Sequence, residues 1–489
     1  MITWGISANS HDAALAVFVD EKLVFASHSE RFSGIKNDRD LNRDLVAHAK
    51  QFGNPDRIYW YENPYKKTFR QLYAGQGWKW RDNDIDIYLA RYEIFEVPIT
   101  YVSHHHSHAA GGYYTSGFDD ACVLVIDAIG EFETVTIWKG AGNNLKKLWS
   151  QSYPHSIGLF YSAMTQRVGL KPNEDEYILM GMAAYGNDSL VATIKEDFIT
   201  YGKKIKFKQN LHRGCTQWRP ELTVKDSFEI AYATQILYEE MFSNLLETAY
   251  RLTGSKNLVL MGGCALNCSA NRLTGRWFDT TWIMPNPGDA GSAVGAVLAK
   301  HPAWRIDPTE FTPFIGYDMG QRALNEEIVD YLEDNKICGL ARGPAEFGPR
   351  ALGNRSLLAD PRGKDIKDQV NAIKQRQEFR PFAPAILEEL VDDYFDMPPG
   401  WNNSRYMQVI ARCRHPGHYP AIVHRDGTSR VQTVPNDGSP FRKLLELWYA
   451  QTGCPMLLNT SLNIKGQPMV NDHADAQNFE RHYGVKVFN

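Results

Sequence analysis

A chain of 489 residues is too long for a single core, so two or three domains are expected. Its 43% apolar and 22% charged residues are ordinary for a globular protein, and a net charge of −4 excludes a global basic field for nucleic acid. Seven scattered cysteines without a CxxC pair exclude a zinc framework or disulfide scaffold and suit a reducing, cytoplasmic location. No apolar run is long enough to span a membrane, and Met1-Ile2-Thr3-Trp4 does not open a signal peptide.

The first apolar run, 2–8, is followed by the polar loop Asn9-Ser10-His11-Asp12. Runs at 13–19 and 23–28, separated by Asp20-Glu21-Lys22, complete a set of three predicted strands. An amphipathic pattern predicts a helix over 38–53, and 57–61 reads as the next strand. The segment from Val102 to Ala110 then places four of the chain's 15 histidines within five residues. On a helix, His104 and His108 share one face, where two neutral imidazoles can hold a divalent metal. A solvated His cluster is the other reading. Cys122 to Ile126 reads as a buried strand, and Asp127 at its end is placed to be a third ligand. Residues 226–252 carry apolar positions at helical spacing for about seven turns, as in a long core helix. The strand 257–261 ends in Gly262-Gly263, where a ligand can approach the backbone. A helix is predicted over 290–299, and Asp289 before it is either its cap or a metal ligand. The Pro-bearing stretch 301–308 reads as a linker, which divides the chain into 1–305 and 306–489.

Beyond that division the chemistry turns cationic. Phe347-Gly-Pro-Arg350 runs on through Ala-Leu-Gly-Asn to Arg355-Ser356, and Lys374, Arg376 and Arg380 follow within seven residues. Arg430 and the segment around Asn459, Thr460 and Ser461 complete the set. Guanidinium forks suit phosphate oxygens, and hydroxyls and amides complete an anion site. A surface salt-bridge network is the alternative.

These motifs carry a resemblance. His11-Asp12-Ala13, Glu30-Arg31-Phe32, the His-rich segment, Pro154–Tyr161, Glu176-Tyr177 with Met180-Gly181, Gly262–Asn267 and Gly288–Gly291 fit one family nearly end to end. The segments 347–362, 379–386, 427–433 and 452–463 fit it too. The chain resembles the O-carbamoyltransferase family of nodulation, cephem and aminoglycoside carbamoyltransferases. The resemblance implies an α/β architecture: a duplicated actin/Hsp70-like (ASKHA) N-terminal domain and a YrdC-like α/β C-terminal domain. It implies that the C-terminal domain forms carbamoyl-adenylate from carbamoyl phosphate and ATP, and that the N-terminal domain passes the carbamoyl group to a substrate hydroxyl. His104, His108, Asp127 and Asp289 would hold the metal, Fe(II) or another divalent ion, with Mg as companion to ATP. Arg350, Arg355, Lys374, Arg380, Arg430, Asn459, Thr460, Ser461, Gly262, Gly263 and Asn267 would bind the co-substrates. His11 or His105 would take the proton from the acceptor hydroxyl.

Three positions depart from the family pattern. Asp127 is followed by Ala128 rather than Gly, so a turn with positive φ would be strained there. Ile178 stands where a Lys is usual, and the segment between about 187 and 226 is shorter than expected. Two stretches bear on the acceptor. Residues 65–95 interleave Tyr65, Phe69, Tyr73, Trp78, Trp80 and Tyr88 with Lys and Arg, and 195–225 are basic against three acids. They read either as a solvated basic face with rings in the core or as a nucleotide-binding surface. The acceptor is accordingly a sugar or secondary-metabolite hydroxyl, or a hydroxymethylated pyrimidine, free or in nucleic acid. A homodimer is compatible with the resemblance, and a membrane partner is not expected. The alternatives are a threonylcarbamoyl-type tRNA-modifying enzyme and a non-catalytic nucleotide-binding module.

Overall fold

The computed structural model describes residues 1–202 and 204–489. The opening apolar runs become strands because their Trp, Ile, Val and Phe side chains fit a sheet covered on both faces. β1 (Ile2–Ser7) pairs antiparallel with β2 (Ala14–Val19), which pairs antiparallel with β3 (Lys22–His28). On its other edge β1 pairs parallel with β4 (Arg57–Trp60), and β4 with β5 (Ile99–Tyr101). The order is β3-β2-β1-β4-β5. A second sheet repeats this plan. β6 (Asp120–Gly130) pairs antiparallel with β7 (Glu133–Ala141), and β7 with β8 (Asn144–Ser152). The parallel strands Asn257–Met261 and Thr280–Trp282 follow on the other edge of β6. The same order and the same parallel and antiparallel sense in both sheets make this part a duplicated α/β unit of the actin/Hsp70 kind.

Two helices lie between the sheets. His104–Tyr113 packs on the second sheet and Ser292–Leu298 on the first. They meet backbone to backbone, since a Cβ on Gly295 would fall 1.9 Å from the Ser107 carbonyl oxygen. One core joins Trp4, Ile6, Val123, Val125, Met261 and Val294 across this layer. The far face of the second sheet carries Ile157–Arg167 and the helix Ser227–Thr253, which is the long core helix predicted over 226–252 and ends on left-handed Gly254.

A six-stranded mixed sheet forms the C-terminal part, in the order Gln432–Val434, Ala383–Leu387, Met456–Ser461, Arg355–Ala359, Ile337–Ala341, Val487–Phe488. It has its own core, including Leu340, Leu357, Ile386, Trp448 and Leu458.

Several local expectations are corrected. The helix predicted over 38–53 starts at Arg43, because Asn42 caps the backbone amides of Asp44 and Leu45, and it tightens into a 3₁₀ turn at Lys50–Phe52. Ala128 does not take a positive φ; the chain stays extended through Asp127, where the regular β6–β7 ladder breaks after Ile126. The stretch 301–308 is irregular but packed: Trp304 stacks on His301 at 3.8 Å, and Arg305 donates to the carbonyls of Phe118 and Gly142. Tyr65, Phe69, Tyr73 and Trp78 are exposed, whereas Tyr88 lies in the core. Among the described residues, no helix is long and apolar enough to cross a membrane.

Candidate active site

The first turn of the helix His104–Tyr113 points His104 and His108 at the end of β6. Their Nε2 atoms lie 3.1 Å apart. The His104 Nε2 is 3.0 Å from Asp127 Oδ2 and 3.4 Å from Asp289 Oδ1; the His108 Nε2 is 3.5 and 3.3 Å from the same oxygens. All four donor atoms lie within 4.8 Å of one another. Bonds of about 2.0–2.2 Å to one ion would place adjacent ligand atoms about 3.0–3.5 Å apart, so the set fits a divalent metal with mixed N/O ligands. Asp289 does not cap the helix after it; its carboxylate faces the imidazoles.

The neighbourhood is built to hold this geometry. A Cβ on Gly130 would lie 2.2 Å from His104 Cδ2, so only glycine leaves room for the ring. The buried Glu131 carboxylate accepts from the backbone amides of Asn63 and His104. Burial opposes charge on His104 and His108, yet Asp289 and Asp127 outweigh it and raise both imidazoles above the ordinary histidine range. Burial likewise opposes charge on Asp127, and the two histidines outweigh it and hold that carboxyl well below its usual value.

Asp127 and Asp289 line one end of a cavity of about 1590 Å³ that runs on to the C-terminal part. Arg350, Lys374, Arg376, Arg380 and Arg430 line its other side, with Asn459, Thr460 and Ser461. Nearby Arg405 and Arg442 are paired with Glu388 and Glu389, whereas these five cations have no carboxylate partner among the described residues. Burial, and then the charge of neighbouring Arg430, lowers Arg350 to about 9; burial and Arg380 lower Arg376 to about 8. Lys374 is also pushed well down, by burial and then by Arg376 and Arg380. Its ammonium meets the carbonyls of Ser461 and Asn463 and the Asn463 side chain at 2.8 Å. Five basic side chains held together without ion-pair partners repel one another, and an anion among them would relieve that repulsion.

The Phe347–Arg350 string has a geometric reason. Phe347 packs on His28 at 5.3 Å, the Gly348 carbonyl accepts from Arg31, and Arg350 then enters the cavity. Gly263 and Asn267 also line the cavity; Gly262, at φ 92°, serves the turn instead, its absent Cβ sparing the Ile126 carbonyl 2.1 Å away. Arg355 is not brought to the cavity. It is wholly buried and donates to the carbonyls of Tyr317, Arg342, Gly343 and Asn471, tying loops together. His105 is not brought there either. It is buried with Nδ1 on Thr136 at 2.9 Å, and burial reinforced by His104 pushes it well below the ordinary histidine range.

His11 lines the cavity with its Nε2 free of any partner. Beside it the structure shows a relay that sequence reasoning missed. Asp12 lines the cavity and accepts from His28 Nδ1 at 2.8 Å, while Asn286 holds His28 Nε2 at 2.9 Å. Despite its burial, Asp12 is lowered to about 2 by His28. A lone His28 at a strand end carries no signal in one sequence; its partners are 16 and 258 residues away.

Residues 51–298 match the carbamoyltransferase N-terminus model and residues 329–488 the carbamoyltransferase C-terminus model. An uncharacterised protein of Synechocystis is 33% identical over 96% of this chain and 93% of its own length. The nodulation protein NolNO of Sinorhizobium fredii is 30% identical over 95% of this chain and 76% of its own. The 3′-hydroxymethylcephem-O-carbamoyltransferase of Amycolatopsis lactamdurans is 27% identical over 95% and 94%. Among solved structures, HypF of T. kodakarensis is 14% identical over 62% of this chain and 48% of its own, at a TM-score of 0.34, too slight to bear on the site. With both family models matched and relatives aligned nearly end to end, the chain belongs to the carbamoyltransferase family and is an enzyme that transfers carbamoyl groups.

Proposed function

We propose that the protein is an ATP-dependent O-carbamoyltransferase that draws on carbamoyl phosphate. In this reading residues 306–489, as a YrdC-like domain, use one water to split carbamoyl phosphate into carbamate and phosphate, and a carbamate oxygen then attacks the α-phosphorus of ATP to give carbamoyl-adenylate, with pyrophosphate leaving. Residues 1–305 pass the group to an acceptor hydroxyl and release AMP. The observation that carries the reading is the single cavity with four convergent metal ligands at one end and five unpaired cations at the other. Its volume exceeds the roughly 300–1,000 Å³ of a pocket for one small ligand, so donor and acceptor fit together.

The residues divide the work. Arg350, Arg376, Arg380 and Arg430 neutralise and orient phosphates, where positioning and fixed charge supply most of the rate. Lys374, held by Ser461 and Asn463, adds a point charge. A divalent ion on His104, His108, Asp127 and Asp289, Fe(II) in the family reading, would act as a Lewis acid toward carbonyl or phosphate oxygen. His11, with its free Nε2 in the cavity, is the base for the acceptor hydroxyl. With both reactions in one cavity, a labile adenylate need not cross bulk water between them.

The test is release of AMP and pyrophosphate from ATP by the purified protein supplied with Fe(II). Release that requires carbamoyl phosphate is the expected outcome. Release that instead requires threonine plus bicarbonate would assign the chain to threonylcarbamoyl chemistry. No release under either condition, from folded and metal-loaded protein, would remove the donor reaction.

A further inference from the structure

The aromatic and basic stretches singled out in the sequence are not used by the chemistry above, and the structure brings them together at the cavity rim. The helix Pro64–Tyr73 places Tyr65, Phe69 and Tyr73 four residues apart on one face. Their exposures are 50%, 57% and 70%, and Trp78 in the following turn is 60% exposed. Trp78 meets Phe69 edge-on at 5.9 Å, and Trp80 meets Tyr65 at 4.9 Å. Apolar rings left in water in a cluster mark an interaction surface.

The charge nearest these rings is mainly positive, although Asp82, Asp84 and Asp86 follow Arg81, and Lys66 and Arg219 are paired with Glu131 and Asp197. From Asn63 to Arg81 the chain carries Lys and Arg but no acid, and the same holds from Phe198 to Pro220. Lys67 is used internally against Glu62, whereas Lys79 and Arg81 are exposed. The second stretch reaches the first at Gly75, where an added Cβ would lie 3.4 Å from the Arg213 guanidinium. His212 joins the rings through Tyr153, which meets Tyr73. Arg70, Gln71, Gln76, Lys79 and His212 line the cavity itself, so the surface and the cavity are continuous.

We propose that this surface docks a single-stranded nucleic acid and presents one of its nucleotides to the cavity as the hydroxyl-bearing acceptor; the acceptor role rests on the carbamoyl-transfer reading of that cavity. Rings at successive positions stack bases whatever their sequence, and the exposed Lys79, Arg81 and Arg213 follow the phosphates. A protein or uncharged partner would use the rings but has no need of the cations left without ion-pair partners among the described residues beside them, Lys79, Arg81 and Arg213. A single strand can turn one base from the rings into the cavity without breaking a pair. Because the net charge is −4, the attraction is local and falls with salt.

The experiment is fluorescence anisotropy of the full-length, metal-loaded protein with a fluorescein-labelled 12-nucleotide oligothymidylate, and an oligouridylate beside it to tell DNA from RNA. Binding that weakens with salt is expected. The pair Phe69→Ala and Trp78→Ala raises Kd by about 10-fold or more, and Phe69→Tyr with Trp78→Phe, which keep the rings, restores it. Binding of neither oligonucleotide at low salt overturns the proposal. So does parent-like binding by the alanine pair, and so does equal competition by polyphosphate of the same charge, since either means that charge alone is at work. Carbamoyl phosphate-dependent AMP release is measured on the same parent protein. Strand binding without release leaves the surface standing and sinks the donor reaction; release without strand binding does the reverse.

Discussion

His104 and His108 aim two Nε2 atoms at each other 3.1 Å apart, a contact in which at most one can donate to the other. Each is drawn instead toward the two carboxylates, which raise both imidazoles above their ordinary range against the cost of burial. The sign for metal binding follows. Raised values mean bound protons near neutral pH, and a metal must displace them, so affinity rises with pH until both rings are neutral. Calorimetric titration with a divalent ion is expected to show proton release and weaker binding at pH 6 than at pH 8, with His108→Ala reducing bound metal from about one per chain to near zero. At the other end of the cavity, Arg380 is lowered by burial but lies over Tyr177 at 4.7 Å without a carboxylate partner, poised for an anion. A charge-assisted hydrogen bond contributes about 1.5–3 kcal/mol. Arg380→Ala is therefore expected to raise the KM for ATP or carbamoyl phosphate in AMP release by about 10- to 100-fold; an unchanged KM for both would take Arg380 out of the site. Residue type alone did not separate Arg350 from Arg355 or His104 from His105. One of each pair faces the cavity and the other is consumed by carbonyls or by Thr136.

The four candidate metal ligands come from separate elements, so their spacing depends on how the elements touch. The helices His104–Tyr113 and Ser292–Leu298 are in backbone contact through Gly111 and Gly295, and Asp289 leads directly into the second of them. Gly295→Ala would force a Cβ to within 1.9 Å of the Ser107 carbonyl oxygen and push the helices apart. The expected result is a loss of about 1–3 kcal/mol in denaturant unfolding, from overpacking, together with weaker metal binding; a variant that binds metal as the parent does would show that the helix spacing does not set the site. Helices and strands with strong periodicity were legible here: Ser227–Thr253 lies within one residue of its sequence-based range. The helix at 38–53 was not, because Asn42 satisfies the first amides by capping and the apolar pattern upstream belongs to a packed loop.

At the scale of the molecule, the C-terminal part is locked onto the duplicated unit. Trp401 is buried against it, donating from Nε1 to Thr274 Oγ1 at 3.0 Å and to the Asn271 carbonyl. Asn271 donates in turn to the Gln408 carbonyl, and Gly275 lies so near Pro399 that any Cβ would strike its carbonyl oxygen. This contact fixes the two parts whose residues together line the cavity. Trp401→Ala is expected to cost about 3–5 kcal/mol of stability, as for other buried Trp truncations. It is also expected to lower carbamoyl phosphate-dependent turnover, because the residues that line the cavity come from both parts. A destabilised variant with parent-like turnover would mean that the contact adds stability without setting the geometry of the cavity.

The sequence by itself determined the strand and helix content where periodicity is strong, the pairing of His104 with His108 by helical spacing, and the family, through strings such as Phe347 to Ser356. Those are local properties, carried by residue order and side-chain size. Only the tertiary structure decided that Asp127 and Asp289, 162 residues apart in the chain, meet over those histidines, that five arginine and lysine side chains line one cavity with no ion-pair partner among the described residues, and that His28 joins Asp12 to Asn286. The reason is physical. Partner choice among buried polar groups depends on which elements the hydrophobic cores press together, and contacts so distant in sequence leave no period in a single chain.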